Sequence, residues 1–389
     1  MATYVIVGAG LAGAKAAQTL REEGFDGEIV LVGAENERPY ERPPLSKGYL
    51  QGKSEREKIY VHPEQWYTDN AVELLLGTPV TRIEPGEHAV GLADGSRRAY
   101  DKLLIATGAT PKRLPGPALY LRTAGDSDAL KRSLAEVGAA GGRVVVVGGG
   151  WIGLETAAAA RLAGCEVTVV EPGPTPLHRV LGPELGEVFA GLHRRNGVDL
   201  RLGAGAAELA EDGVRLTTGE RLNADLVVAG VGVTPEVGLA REAGLEVGHG
   251  VLTDASLRAS HPDVYAAGDV AEPFNPLYGR RLHVEHWANA LNGGPAAARA
   301  MLGQEVVYDR VPYFFTDQFD LGMEFSGDTT GYDEVVFSGS VDDLEFVAYW
   351  LRQGRVVAGM NVNVWDVVGG IQDRIRSGEV ADPKELASG

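Results

Sequence analysis

Two glycine-rich turns and two acids carry the first chemical signal. Gly8-Ala9-Gly10-Leu11-Ala12-Gly13 follows the apolar run Tyr4-Val5-Ile6-Val7 at once. Good helix formers fill 14–23, a second apolar run spans 29–32, and Glu35 stands just beyond it. Strand, Gly-x-Gly-x-x-Gly, helix, strand and acid in this order make a dinucleotide site. Gly8 permits the tight turn, Gly10 lets the backbone approach a pyrophosphate, and Gly13 lets the helix pack close to the strand. The helix N-terminus offers unpaired N–H groups to the phosphates. Glu35 is placed to accept from both hydroxyls of a ribose. The same order recurs with strand 144–147, Gly148-Gly149-Gly150-Trp151-Ile152-Gly153, helix 154–163, strand 167–170 and Glu171. Two copies imply two dinucleotide sites, or a duplication in which one site has been lost.

The elements around these turns read as an α/β chain. After Glu35, three prolines between Arg38 and Lys47 rule out a regular helix and leave a stiff loop carrying cations. Residues 51–70 are polar and mixed. Short strands are expected at 72–76, 79–83, 89–92 and 100–106, with Asp94-Gly95 turning a hairpin. Pro111, Pro115 and Pro117 mark a linker. Past the second turn, a helix at 185–195 leads to strands near 198–202, 214–217 and 226–229. Val264-Tyr265-Ala266-Ala267-Gly268-Asp269 is a strand running into a turn and an acid. Residues 283–300 read as helical, interrupted at Gly293-Gly294-Pro295. From 311 the texture changes to clustered aromatics and alternating strands (345–350, 355–360), closed by a helix at 365–377. The expected division is 1–110 with 241–310 as one nucleotide-binding domain, 111–240 as the second, and 311–389 as a small α+β domain.

The chain has 389 residues, 44% hydrophobic and 23% charged, with a formal net charge of -18. Such a length buries a large core in two or three domains. The negative balance argues against nucleic acid and against anionic membranes as partners. The single cysteine, Cys165, excludes an intramolecular disulfide and any two-thiol chemistry within one chain. No apolar stretch reaches the length of a membrane span. With no basic-then-apolar leader before the first strand, a cytoplasmic location is expected. His283 and His286 have metal-pair spacing, but no third ligand lies near them in the chain, so no metal is expected.

The chain resembles the flavoprotein reductases with two dinucleotide domains, and within them the ferredoxin reductases of the putidaredoxin-reductase and rubredoxin-reductase type. The resemblance covers essentially the whole chain. It is carried by Pro39-Tyr40-Glu41-Arg42-Pro43-Pro44-Leu45-Ser46-Lys47, by Ala106-Thr107-Gly108, by residues 148–155, by Tyr265-Ala266-Ala267-Gly268-Asp269 and by Asp317-Gln318. Disulfide reductases of this superfamily carry two redox cysteines in the segment after the first acid, and the NADH oxidases and peroxidases keep one. Here that segment carries Lys47 and no cysteine. Cys165 reads as a small packed residue.

The resemblance implies FAD at the first site and NADH at the second. It gives Gly8, Gly10, Gly13 and Glu35 to the FAD adenosine and pyrophosphate, with Arg42 as a forked donor to the pyrophosphate. Val80 would cover the adenine, and Ala106 belongs to the same cofactor contact. Lys47 would lie near the flavin N5 and pair with Glu155. Arg122 would lie near the flavin, Asp269 would accept from the ribityl hydroxyls, and Trp287 would flank the pyrimidine end. Gly148, Gly150, Gly153 and Glu171 would hold NADH. Glu171 would repel the 2′-phosphate of NADP, and Pro172-Gly173-Pro174-Thr175 has no arginine to receive it. Where relatives carry tryptophan against the flavin edge, this chain has Phe315.

The implied reaction is hydride transfer from NADH to the flavin, then single-electron transfer to a ferredoxin-type iron–sulfur protein that feeds a monooxygenase or dioxygenase. Docking an acidic partner on an acidic chain needs a local basic face. Arg310, Arg352, Arg355, Arg374, Arg376, Lys53, Arg56 and Lys58 are the candidates. Two other readings remain open: an NADH-dependent reductase of a small acceptor such as a quinone, and a redox-sensing flavoprotein resembling apoptosis-inducing factor.

Overall fold

The structure, a computed structural model, describes residues 1–388. It divides into two compact units. The first comprises Met1–Glu41, Arg56–Thr110 and Thr234–Pro312, and the second Arg42–Glu55, Pro111–Val233 and Tyr313–Gly389. Among the described residues no helix is long and apolar enough to cross a membrane.

The first unit is built on a parallel sheet in the order Val264–Ala266, Lys102–Ile105, Thr3–Val7, Glu28–Val32, Val72–Leu75. Its strands are apolar on both faces, as a sheet covered on two sides requires. Tyr4, Ile6, Leu31 and Leu104 pack with the helix side chains Ala16, Leu20 and Ala297. Val5, Val7, Val30 and Ile105 face the other way, toward Ile83 and Val90 of an antiparallel three-stranded sheet.

The helix Leu11–Glu22 is clamped by the helix Trp287–Met301. The expected interruption at Gly293-Gly294-Pro295 does not occur, because the helix runs through it unbroken. Packing is the reason for the glycine. A methyl on Gly294 would lie 2.1 Å from the Ala12 carbonyl oxygen, so only glycine allows the two helices this close. The mixed stretch 51–70 holds a 3-10 turn, Arg56–Ile59, and a short helix, Glu64–Asp69.

The second unit repeats the plan with a parallel sheet, Val198–Leu202, Glu166–Glu171, Arg143–Val147, Leu226–Ala229. Its C-terminal part is a five-stranded antiparallel sheet in the order Tyr313–Gln318, Leu321–Gly327, Arg355–Val362, Glu345–Arg352, Glu334–Ser340. One apolar cluster joins Leu154, Leu181 and Phe189 to Phe325, Phe346 and Trp350 of that sheet. The buried Trp350 indole donates to the Leu181 carbonyl at 3.0 Å, as a buried indole N–H must find an acceptor.

Three helices differ from expectation. Ala124–Ala139 lies in a stretch to which the hydrophobic pattern assigned nothing. Its signal is local: Thr123 and Asp126 form a reciprocal capping box. The helix expected at 185–195 starts earlier, at His178, and leaves helical geometry at Gly182. The terminal helix Val368–Ser377 is followed by a second, Pro383–Ser388.

Candidate functional site

Both glycine-rich turns have the geometry that a dinucleotide needs. Gly8 has φ +121°, and a methyl there would lie 2.1 Å from the Ala106 carbonyl oxygen. Gly148 has φ +110°, and a methyl would lie 2.3 Å from the Gly230 oxygen. Methyls on Gly13 and Gly153 would meet the oxygens of Gly8 and Gly148 at 2.1 and 2.0 Å. At Gly10 and Gly150 a methyl meets nothing within 4 Å. These two N-cap residues therefore face open space at a helix start, which is where a pyrophosphate approaches backbone N–H groups. The residues fit two such groups, one per unit.

In the first unit, Glu35 follows the strand Glu28–Val32 and accepts from the Tyr40 hydroxyl at 2.6 Å. Val80 opens the strand Val80–Glu84 and packs half-buried against the sheet. Ala106 is buried at the end of its strand. Asp269 lies in the turn Gly268–Val270, where its backbone oxygen accepts from His283 at 2.8 Å. Trp287 begins its helix beside Glu41. Burial holds the Glu41 carboxyl above its usual range, against the pull of the Trp287 indole and Lys15.

In the second unit, Glu171 accepts from the backbone N–H groups of Gly149 and Gly173, each at 2.7 Å. The acid at the second site thus also braces its glycine turn. Arg42 donates to the Arg122 carbonyl. That bond, with Ser127 donating to Leu45 and Tyr49 to Asp128, binds the proline-rich loop to the start of the helix Ala124–Ala139.

The loop delivers Lys47 to Glu155. Lys47 Nζ donates to Glu155 Oε1 at 2.7 Å. Glu155 is 1% exposed and Lys47 13% exposed. A buried carboxylate needs further donors. Ser46 donates to Oε2, and Thr316 donates to Oε1 at 2.5 Å. Thr316 in turn accepts from Gln318 Nε2 at 3.2 Å. That orientation leaves Gln318 Oε1 to accept from His193 Nε2 at 2.9 Å, which assigns the His193 hydrogen to Nε2. The His193 imidazole is wholly buried, and burial lowers its pKa to about 4, against the opposing bond to Gln318.

Lys47 Nζ also lies 5.1 Å from the centroid of the Phe315 ring. Nearby Asp317 has its carboxyl raised above the usual range, by burial first and by Glu155 in addition, with Lys47 opposing. Cys165 is away from this cluster. It is fully buried and donates to the Leu134 carbonyl at 3.5 Å, and burial raises its thiol pKa. Such a thiol is inert.

The pair Lys47 and Glu155 was legible in the sequence through the resemblance. Ser46, Thr316, Gln318 and His193 were not assigned roles, although Ser46 and Gln318 lie inside the stretches quoted above. Among the candidate docking cations, Arg56 is paired with Glu37, and Arg355 donates to the Gly378 carbonyl. His283 does gain partners, but His286 is not one of them. His249 and Glu285 approach it instead.

Comparison with known proteins agrees with this geometry. Residues 2–294 match the pyridine nucleotide-disulphide oxidoreductase family, and residues 313–388 match the reductase C-terminal domain. The chain belongs to the pyridine nucleotide-disulphide oxidoreductase family. It is 38% identical to the ferredoxin–NAD(+) reductase component of the anthranilate 1,2-dioxygenase system of Burkholderia cepacia, over 99% of this chain and 96% of that one. It is 38% identical to putidaredoxin reductase of Pseudomonas putida, over 92% and 88%. The putidaredoxin reductase in the crystal structure of its covalent complex with putidaredoxin superposes with a TM-score of 0.94 at 35% identity, covering 100% of this chain and 96% of that one.

Proposed function

We propose that this chain is an FAD-dependent reductase that takes electrons from NADH and passes them singly to a ferredoxin-type iron–sulfur protein serving a monooxygenase or dioxygenase. The observation that carries the reading is the Lys47–Glu155 pair, whose lysine lies in a segment after the first acid that holds no cysteine, while the single thiol of Cys165 is sealed in the core. Electrons then leave without a thiol intermediary. The relative named as the ferredoxin–NAD(+) reductase component of a dioxygenase system supports the same acceptor class.

FAD, when bound, supplies the switch from two-electron to one-electron transfer. The chain supplies binding and electrostatics. Gly8, Gly10, Gly13, Glu35, Arg42, Val80, Ala106, Arg122, Asp269 and Trp287 are the residues read as holding it. Gly148, Gly150, Gly153 and Glu171 are read as holding NADH. Lys47 would offer its positive charge to the bound ring system, and Glu155 fixes where its Nζ stands. Ser46 and Thr316 hold Glu155 in one orientation by donating to both of its oxygens. The division into 1–110 with 241–310, 111–240 and 311–389 is kept as a functional description, with the last segment carrying the partner face. A cytoplasmic location is part of the reading, supported by a lone buried cysteine and by the lack of an apolar spanning helix among the described residues.

The test is anaerobic reduction by NADH, followed by mixing with a panel of ferredoxins under stopped flow. Reoxidation of the flavin by at least one of them is expected. Failure of every one, with rapid turnover of a quinone, assigns the chain to small acceptors instead.

A further inference from the structure

His249, His283 and Glu285 lie together in the first unit, and none of the three is among the residues read as holding a dinucleotide. One ligating atom from each lies within 4.8 Å of the other two. The His283 tautomer is set by its surroundings. Its Nε2 sits 2.8 Å from the Asp269 backbone oxygen. A carbonyl only accepts, so Nε2 carries a hydrogen, and in the neutral ring Nδ1 is the lone-pair nitrogen. That nitrogen is 3.7 Å from Glu285 Oε1. Two electron-pair donors therefore face one another, an arrangement that a cation between them turns from repulsive to attractive. A metal-binding imidazole commonly donates its other N–H to a carbonyl in this way.

The third donor comes from the far side. The His249 ring meets the His283 ring edge to face, with centroids 4.5 Å apart and planes at 85°. His249 sits on an ordered turn, because the Gly248 N–H donates to the Gly250 oxygen at 2.9 Å and the Gly250 N–H donates to Glu272 at 3.0 Å. A proton alone would reconcile His283 with Glu285. It would leave the approach of a second imidazole without a role, whereas a metal ion uses all three donors.

We infer that His249, His283 and Glu285 form a binding site for a divalent transition-metal ion of the zinc class, completed by water. Two imidazoles and one carboxylate suit zinc, cobalt, nickel or copper and not magnesium or calcium, which take oxygen donors. Zinc bonds of about 2.0–2.2 Å put neighbouring tetrahedral ligand atoms about 3.4 Å apart. The His283–Glu285 spacing is already close to that. The wider gap closes by rotation of His249, which is exposed. A bound ion ties the turn carrying His249 to the segment carrying His283, and through His283 to the backbone at Asp269.

Equilibrium dialysis of the tag-free, flavin-loaded full chain against micromolar zinc, with metal counted by elemental analysis, tests the site. One ion per chain is expected. His249→Ala, at an exposed turn, and Glu285→Gln each weaken retention by about tenfold or more, since even loss of a supporting contact costs that much at a metal site. His88→Ala removes a different histidine that also faces a carboxylate, Asp263, and leaves retention unchanged. With zinc removed by chelator, His249→Ala turns over NADH and ferricyanide like the parent. No retained zinc, or equal retention by the parent and His249→Ala, overturns the inference.

Discussion

Lys47 and Glu155 meet at 2.7 Å although 108 residues separate them in the chain. The carboxylate accepts from three side chains at once, Lys47, Ser46 and Thr316. A buried ion pair in an apolar setting is costly unless its remaining lone pairs are used. Here they are used by two hydroxyls, one of which is itself fixed by Gln318 and His193.

Removing the cation exposes that cost. Lys47→Met leaves Glu155 buried with two neutral donors, and losing one partner of such a pair destabilises by about 3–5 kcal/mol. NADH-driven flavin reduction should slow by about ten- to a hundred-fold, the equivalent of one charge-assisted contact. Lys47→Arg should recover part of the rate. Stopped-flow reduction measures this, and a parental rate in Lys47→Met would remove Lys47 from the reaction.

Thr316→Val keeps the shape and deletes both of the hydroxyl's bonds. The Gln318 amide then loses its acceptor in a dry site, at a cost of about 1–3 kcal/mol. Thermal unfolding should register this as a lower Tm, and Thr316→Ser should restore it. Equal Tm values for the Val variant and the parent would mean that the chain from His193 to Glu155 does not bear on stability.

Acid should weaken the fold through His193. The unfolded chain protonates this imidazole below its ordinary 6.5, whereas the folded chain keeps it neutral down to about 4. The unfolded state therefore binds the extra proton between those values, and stability is lost as pH falls from 6.5 toward 4, by about 3 kcal/mol. His193→Gln keeps a donor for Gln318 and does not titrate. Its unfolding free energy should vary with pH by one proton less across that window, and an unchanged slope would contradict the burial argument.

The glycines separate the two nucleotide sites. Gly10→Ala and Gly150→Ala add a methyl in open space, so both variants should fold. Gly10→Ala should emerge from gel filtration with less flavin per chain. Gly150→Ala should keep its flavin and show a KM for NADH raised about tenfold, the result of about 1.4 kcal/mol of lost contact. Flavin loss in the second variant and not the first would reverse the assignment of the sites.

Arg352 tests the docking face. It lies at the exposed end of the strand Glu345–Arg352. Arg352→Glu should weaken reduction of a ferredoxin, most at low salt, while NADH–ferricyanide turnover is kept. Equal loss in both assays, or in neither, would take Arg352 off that face.

Local patterns made the nucleotide folds legible. Each glycine turn sits between a strand and a helix, and the strands at 89–92, 198–202 and 226–229 stand where alternation and turn residues put them. Signals failed where tertiary packing overrode a local rule. Gly293-Gly294-Pro295 reads as a break, yet the near contact of Gly294 with Ala12 makes it a packing seam. The helix Ala124–Ala139 is only weakly amphipathic, and only its capping box at Thr123 and Asp126 announces it. Lys47 and Glu155 were readable because both lie in short distinctive motifs. Thr316, Gln318 and His193 act through one another across more than a hundred residues, and no local spacing encodes that. The same holds for His249, whose neighbours in space are remote in the chain.

The first unit's sheet is closed late in synthesis. Strand Lys102–Ile105 waits for Val264–Ala266 to pair with its open side, and the helix behind Gly8 waits for Trp287–Met301. At ribosomal rates of about 5–20 residues per second, the delay is on the order of ten to forty seconds. The parallel sheet of the second unit, complete once Leu226–Ala229 is made, has time to form in between. Meanwhile the nascent chain carries an unpaired, apolar strand edge at Lys-Leu-Leu-Ile, the kind of template on which neighbouring chains aggregate. Slowed translation or cooler expression should not relieve this wait, whereas a chaperone that covers the edge should. A fragment ending near Thr110, although it contains the whole first glycine turn, would lack both the strand and the helix that make the turn a rigid cradle.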